Sequence, residues 1–590
     1  MTSEQISFKR LIDIGIALSA EKDVNRLMER ILLEAKDIAN ADGGTLYIRT
    51  REDALKFEML RTDSLGIAEG GTSGTEISMA PIEMFDTADN PNLKAIVSYA
   101  ANTGETINIA DAYATEEFDF TSAKIFDDTM GYRSKSLLAV PLKNNTGHVI
   151  GVLQLINSLD PETGQVCSFS IESQPLIEAL ASQAAIALEN QNLLDSQKNL
   201  LDSFISLMAS TVDAKSPYTG GHCQRVPELT EMLTAAACDS NAEPFKTFNL
   251  DDEQWYELHI GAWLHDCGKI ITPEHVVDKS TKLETITDRI HEIRMRFELV
   301  KAEHMIEYQK KLLDGAANPE ELKDELDAKL VSLDEDFAFI AECNVGGEFM
   351  AEDRIERVRK IAEIKWTRTL DDRLGISFDE TNRKNRTRQK QVPCSELLLE
   401  DRHDHIVEHD VVIHSSDPNN SYGFKVDVPE YKYNLGEVYN LSVSRGTLTK
   451  EERFKINDHI VQTIVMLESL PFPKHLEQVP EIAGGHHEKM DGTGFPKGIH
   501  GKDMSIPARI MAIADVFEAL TAADRPYKPA KTLSTSIRIM GKMVLDHHLD
   551  PDLFKLFLTS GVYMDYANKF LRSSQIDSVD IQEYLKGTSD

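Results

Sequence analysis

The run "EQWYELHIGAWLHDCGK" at 253–269 is a helix that ends in chemistry. Trp255, Leu258, Ala262 and His265 recur at helical spacing and share roughly one face. The run closes on an imidazole and a carboxylate side by side, His265-Asp266. Such a pair can hold two neighbouring cations, with the carboxylate bridging them. Lys269, four residues after the histidine, can reach a phosphate oxygen. Similar ligand types recur at His222, His459, the adjacent His486 and His487, and Asp515. Five imidazoles with two carboxylates suit iron, manganese or zinc, and they point to a hydrolytic site holding two or more metal ions.

Two flanking stretches sharpen this set. In "GGHHEKMDGTGFPKG" at 484–498, paired glycines let the backbone come close before the two imidazoles. Glu488 is placed to orient one of those rings, and the Gly492, Gly494, Pro496 pattern gives a rigid loop suited to lining a ligand cleft. "IPARIMAIADVFEAL" at 506–520 is apolar almost all round, so Asp515 is expected in a buried helix. A buried carboxylate needs a metal, a cation or strong donors, and the bland partner is Arg509 or Arg525. The histidines at 403, 405, 409 and 414 alternate with acids and read as a solvated face. The basic run Arg383, Lys384, Arg386, Arg388, Lys390 reads as a solvated loop.

At 590 residues the chain exceeds one compact core. Its net charge of −35 argues against binding a nucleic acid polymer, because there is no counterion release to gain. No apolar run approaches the ~20 residues that span a bilayer, and "MTSEQISFKR" is not a secretory signal. Six cysteines without a CxxC pair fit a reducing compartment. The expectation is a cytoplasmic protein with no membrane association.

Residues 8–195 read as an α+β domain. Two opening helices precede a strand at 43–50. A hairpin follows at 136–158, turning at Asn144-Asn145-Thr146-Gly147. A connecting helix then runs over 172–213, and its apolar stripe from Leu176 onward meets no Pro or Gly. Leu194, Leu201, Phe204, Met208 and Thr211, with Leu193, Leu200 and Leu207 beside them, form its heptad-like seam, which predicts a parallel homodimer. Beyond it the pattern is almost wholly helical to about 375, with helices over 284–313, 319–343 and 351–367. It weakens over 375–440, then resumes as helix from 449 to 572.

Five motifs in order resemble the HD-GYP subgroup of the HD phosphohydrolase superfamily: "YTGGHCQRV" at 218–226, "HDCGK" at 265–269, "INDHIVQT" at 456–463, "HHEKMDGTGFPKG" at 486–498 and "ADVFEALTAADRPYK" at 514–528. The resemblance implies an all-α hydrolase domain that cleaves cyclic di-GMP to linear pGpG or GMP, using iron or manganese. Carried over by position, the metal ligands are His222, His265, Asp266, His459, His486, His487 and Asp515. Lys269 and Asp266 are the implied catalytic groups. Lys269, Asp491, Gly492, Phe495, Arg525 and Lys528 are the implied substrate contacts. "GYRSKSLLAVPLKN" at 131–144 and "GVLQLINS" at 151–158 resemble GAF domains, which implies a sensor with room for a small-molecule ligand.

Three departures qualify the match. Phe495 stands where the name-giving tyrosine would be, removing one hydroxyl worth about 1 kcal/mol. Tyr218 stands where some members carry a glutamate for a third metal, so two divalent ions are expected. Lys269 and His459 are 190 residues apart, which makes 284–440 a large, mostly helical insertion between hydrolase halves at 200–283 and 441–572. The expected activity is a GAF-regulated cyclic di-GMP phosphodiesterase in bacterial second-messenger signalling, with a diguanylate cyclase or other protein as partner. The alternatives are a phosphodiesterase for another cyclic dinucleotide, such as cyclic GMP-AMP, and a non-catalytic sensor acting by protein contact.

Overall fold

The computed structural model describes the chain apart from residues 1–11, 19, 22, 216–220, 316–317, 348, 418, 523–529 and 586–590, and the side chain of residue 122. Contacts divide it into two units, Met1–Leu201 and Asp202–Asp590.

The first unit is built on strands β1 (Ala41–Arg49), β2 (Ala54–Thr62), β3 (Ile67–Gly70), β4 (Ile82–Glu83), β5 (Ile107–Ile109), β6 (Leu137–Lys143), β7 (Val149–Leu159) and β8 (Val166–Cys167). They pair antiparallel in the order β3-β2-β1-β7-β6-β5, with β4 on β2 and β8 on β7. Period-two alternation gives the sheet two buried faces. Leu138 and Val140 pack with Leu46, Leu153 and Leu155 beneath helix α1 (Val24–Ala39), while Leu137 and Ala139 pack with Tyr47 and Val152 beneath α2 (Ile96–Thr103). The β6–β7 turn works as its chemistry implies. Asn144 Oδ1 accepts from the backbone N–H of Thr146 at 3.1 Å and of His148 at 2.8 Å, and Gly147 takes φ 84°.

The expected connecting helix is α3 (Gln174–Lys215), 42 residues and about 63 Å long. Ile177, Leu180, Ala184 and Leu188 bury in the first unit's core. Leu193, Leu194, Leu200, Phe204 and Leu207 are more than half exposed, then Ala209 and Val212 bury against Cys223 and Trp263 in the second unit.

The second unit's core gathers α4 (His222–Cys238), α5 (Asp252–Leu264) and, later in the chain, a helix over Ile506–Thr521 with three C-terminal helices. Phe517 sits at its centre, edge-on to Phe557 and Tyr566. Asp251 caps α5, its Oδ1 accepting from Gln254 N at 2.9 Å while Gln254 Oε1 accepts from Asp251 N.

Residues 284–440 make a second core of their own. There α6 (Ile290–Leu313), α7 (Pro319–Val345) and α8 (Glu352–Ala362) pack Phe297, Ile340, Val358 and Ile361 together. The two ends of this segment meet. Lys282 is 2% exposed and its ammonium donates to Leu441 O at 2.9 Å and Val443 O at 2.7 Å. One expectation fails here. The helix expected over 351–367 stops at Ala362, and Lys365–Arg368 is a strand paired with Cys394–Leu397. Trp366 and Thr367 favour extended backbone, and the partner that satisfies it lies beyond the reach of local periodicity.

The site is positioned by α9 (Lys450–Glu468), α10 (Val479–Gly484) and α11 (Ile506–Thr521). The two glycines at the end of α10 let it wedge between its neighbours. A Cβ on Gly484 would lie 2.5 Å from Ile464 of α9, and one on Gly485 would lie 2.8 Å from Ala508 of α11.

Candidate metal centre

Each candidate ligand stands at a helix end or on a helix flank. His222 opens α4, His265 follows α5, and Asp266 leads into the tight turn Cys267–Ile271. His459 lies on α9, His486 and His487 follow α10, and Asp515 is on α11. The fold brings all seven together. Ligating atoms of His222, His265 and Asp266 lie within 4.8 Å of one another, as do those of His459, His486 and His487.

Asp266 joins the two groups. Its Oδ2 lies 3.1 Å from His222 Nε2 and 3.3 Å from His265 Nε2, and its Oδ1 lies 3.2 Å from His459 Nε2. Asp515 Oδ1 completes the first group at 3.3 Å from His222 Nε2.

The imidazoles are oriented in a common way. His265, His459 and His486 each place Nδ1 against the backbone carbonyl three residues earlier: Ala262 O at 2.8 Å, Ile456 O at 2.5 Å and Ala483 O at 2.7 Å. A carbonyl only accepts, so Nδ1 carries a proton and Nε2 is the atom each ring turns toward the site. Those atoms converge: His265 Nε2 is 3.4 Å from His222 Nε2, and His487 Nε2 is 3.2 Å from His459 Nε2. Ligands 2.0–2.1 Å from one ion sit about 3.0 to 3.4 Å apart along a coordination edge, so the spacing matches a shared cation. His486 Nε2 and Asp266 Oδ1 are enclosed and make no hydrogen bond among the described residues. A buried acceptor in that condition is costly, and a cation would satisfy it. The donor set fits divalent metal.

The electrostatics agree. Burial pushes the His486 imidazolium pKa down to about 4, and burial with the adjacent His486 holds His487 well below the usual range, so both stay neutral donors near pH 7. Burial opposes ionisation of Asp266, but the Lys269 ammonium beside it keeps the carboxylate charged. Lys269 Nζ is in direct contact with Asp266 Oδ2.

The other expected contacts divide. Phe495 stacks on the His487 ring, centroids 4.9 Å apart and planes 15° apart, so the aromatic wall is kept without the hydroxyl. Gly492 takes φ 76° in the same loop. The exposed Asp491 is spent locally, accepting from Thr493 N at 2.9 Å and Thr493 Oγ1 at 2.7 Å. Arg525, Lys528 and Tyr218 lie outside the described residues. Arg509 pairs with Asp550 at 2.5 Å, which leaves Asp515 to the histidines.

Two readings of the flanks are corrected and a third holds in part. Glu488 does not orient a histidine; it accepts from Lys497 N, Gly498 N and Ile499 N at 2.7–3.1 Å, because the loop folds back over it and offers three backbone donors. The histidines at 403–414 are not a solvated face: only His403 is exposed, His409 Nε2 meets Pro429 O, and His414 lies edge-on to Tyr422. The basic run is solvated in part: Arg386, Arg388 and Lys390 are exposed, whereas Lys384 is 6% exposed and pairs with Asp372 at 3.0 Å.

Glu518 is the residue the flanks did not reveal. It is 1% exposed, contacts His222 Nδ1, and is gripped by Arg225 Nε at 2.8 Å. Its position three residues after Asp515, on the same helix face, was the available signal. It fixes the ring that serves the first ligand group. Glu518→Ala is expected to weaken metal retention roughly 10–100-fold, with Glu518→Gln recovering part of it, measured by chelator competition. Equal retention in all three proteins would remove this role.

A family model described as an HD domain matches residues 393–553, and one described as a GAF domain matches residues 23–188. The HD match begins inside the segment expected as an insertion. A 3'3'-cGAMP-specific phosphodiesterase (number 1) of Vibrio cholerae is 45% identical over 113 residues, 19% of this chain and 25% of that protein. A second such enzyme (number 3) of the same organism is 37% identical over 110 residues, 18% and 23% of the two chains. A cyclic di-GMP phosphodiesterase of Pseudomonas aeruginosa is 38% identical over 102 residues, 17% and 24% of the two. The chain thus spans about a quarter of the length of these curated relatives. No helix among the described residues is long and apolar enough to cross a membrane. With the antiparallel sheet in the first unit and the convergent His/Asp groups in the second, the chain carries an N-terminal GAF domain and a C-terminal HD domain.

Proposed function

We propose that this chain is a metal-dependent phosphodiesterase that hydrolyses a cyclic dinucleotide, cyclic di-GMP in the first instance, to linear pGpG or GMP. The observation that carries this is Asp266, with one oxygen facing each group of histidines. His222, His265, Asp266 and Asp515 would hold one divalent ion, and His459, His486, His487 and the other oxygen of Asp266 a second, iron or manganese by their donor types. Bound ions supply Lewis-acid charge against the phosphodiester and make water a better nucleophile. The protein's own residues do the rest. Backbone carbonyls lock three rings with Nε2 inward, Lys269 adds a cation beside Asp266 for a phosphate oxygen, and Phe495 offers a ring face to a base.

Cyclic GMP-AMP is the second reading, favoured by the printed activities of the two Vibrio relatives. The test is product analysis on anaerobically iron- or manganese-loaded protein with both dinucleotides. Cleavage of cyclic di-GMP at the higher kcat/KM supports the first reading, and a reversed preference supports the second. No turnover of either would sink both and leave a non-catalytic sensor.

Residues 284–440 are read as an insertion that reaches back to the site. Lys425 N donates to Pro496 O at 2.6 Å, and Phe424 packs on Val461 and Ile464 of α9. The exposed leucines of α3 are read as the seam of a homodimer through which the GAF domain regulates turnover. The double change Leu200→Glu, Leu207→Glu should halve the mass seen by light scattering; an unchanged mass would place the interface elsewhere.

A further inference from the structure

Where the end of the inserted segment rejoins α9, the second unit holds a cavity of about 530 Å³. It is not the metal centre. Asn457 lines it, yet projects about 160° around α9 from His459, and Arg453, also in its wall, projects about 120° away. The two sites share a helix and occupy different sides of it.

Three cations enter this cavity: Arg445, Lys450 and Arg453. Among the described residues none of their charged groups makes an ion pair or hydrogen bond. All three are exposed, whereas other, less exposed cations of the second unit are paired. Lys279 is held by Glu452 at 2.8 Å, Arg296 by Glu437 at 2.8 Å and Arg402 by Asp404 at 3.0 Å. In a chain with 98 acidic and 63 basic residues, three unpaired cations in one hollow mark a local reversal of the field. The acids close by are otherwise engaged or few: Glu452 holds Lys279, Glu451 accepts from Tyr439 OH at 3.0 Å, and Asp427 is the one carboxylate lining the cavity.

The walls indicate what fits. Val426, Val443, Leu448 and Phe454 supply apolar wall beside the cations. The volume lies in the range of small-molecule pockets, about 300 to 1,000 Å³, and exceeds what a bare phosphate fills. Cations at one set of walls and apolar side chains at another suit a phosphate joined to a heterocycle.

We propose that this cavity is a second binding site, for a phosphate-bearing mononucleotide, separate from the metal centre. Its occupant would touch two elements that also build the catalytic side. One is α9, which carries His459. The other is the stretch at Val426, next to Lys425, whose N–H is bonded to Pro496 O in the Phe495 loop. Binding there is therefore expected to change turnover at the metal centre.

The test uses the full chain and GMP as the probe, followed by isothermal titration calorimetry. Asp266→Ala, which disables the metal centre, should still bind GMP at one site per chain. Adding Arg445→Glu and Arg453→Glu to that protein should weaken binding at least tenfold while leaving its thermal melt unchanged, and Arg453→Gln alone should give a smaller loss in the same direction. In the otherwise native chain the two reversals should leave metal content intact and remove the part of GMP's effect on turnover that does not compete with substrate. Loss of all GMP binding in Asp266→Ala would overturn the proposal, as would charge reversal without effect. Inorganic phosphate binding as tightly as GMP would overturn the nucleotide assignment.

Discussion

Asp266→Asn is expected to strip metal from both ligand groups and to lower turnover about a thousandfold, roughly 4 kcal/mol of barrier. The size follows from position. Asp266 is 1% exposed and its two oxygens lie 3.1–3.3 Å from three Nε2 atoms of His222, His265 and His459. Among the described residues no other carboxylate pairs with histidines of both groups; Asp515 pairs with His222 of the first. Asparagine preserves the shape, so the fold should persist, but it removes the charge that offsets two divalent ions and turns one oxygen into a donor. Elemental analysis of anaerobically purified protein, run beside the phosphodiesterase assay, checks both halves. Two metals per chain in the Asn variant would mean that the ions do not share this carboxylate. Asp515→Asn should be milder, depleting the first group while the second keeps its ion.

Much of the architecture was legible where local chemistry is self-sufficient. The 136–158 hairpin follows from Asn144 and Gly147 closing the turn, and α3 from Pro175 in its first turn and the long run after it without Pro or Gly. The strand at Lys365–Arg368 was not legible, because its hydrogen bonds go to Cys394–Leu397 and nothing near it in sequence announces that partner. The same physics separates the histidines at 486–487 from those at 403–414. Both groups are dense in ligand types, but only the first is met by helices from elsewhere in the chain, α5 and α9, whose imidazoles point at the same spot.

Within the site, the ligands themselves were readable from their flanks and their supports were not. Glu488 follows the histidines directly, yet its carboxylate serves the 497–499 backbone, since adjacency along the chain does not set direction in a folded loop. Glu518 supports His222 across 296 residues of sequence, and only its helical phase with Asp515 hinted at it. Supporting groups are chosen by the space behind a ligand, which is a property of the packed structure.

Gly268→Ala is expected to be among the most damaging single methyl additions in the second unit. The glycine's φ is ordinary, so what it provides is space. A Cβ there would lie 2.0 Å from His459 O, 2.6 Å from Thr463 N and 2.8 Å from Thr463 Oγ1. Two of those atoms are backbone of α9, so no rotamer change relieves the clash, and the helix must move by an ångström or more. That helix carries His459, whose Nε2 faces Asp266 Oδ1 at 3.2 Å, and Asp266 is two residues before the glycine. One contact thus sets the distance between sequence segments 195 residues apart and joins the two ligand groups. We expect a loss of roughly 2 to 4 kcal/mol in stability, at the upper end for overpacking because backbone is struck, together with loss of bound metal. Thr463→Val separates packing from hydrogen bonding. It removes the 2.9 Å bond from Gly268 N to Thr463 Oγ1 at a cost of about 1 kcal/mol and should leave metal content near normal. Thermal melts and elemental analysis on both variants decide the matter. If the alanine variant melts with the parent and keeps its metals, α9 has slack, and the close approach at Gly268 is not what holds the two halves of the centre together.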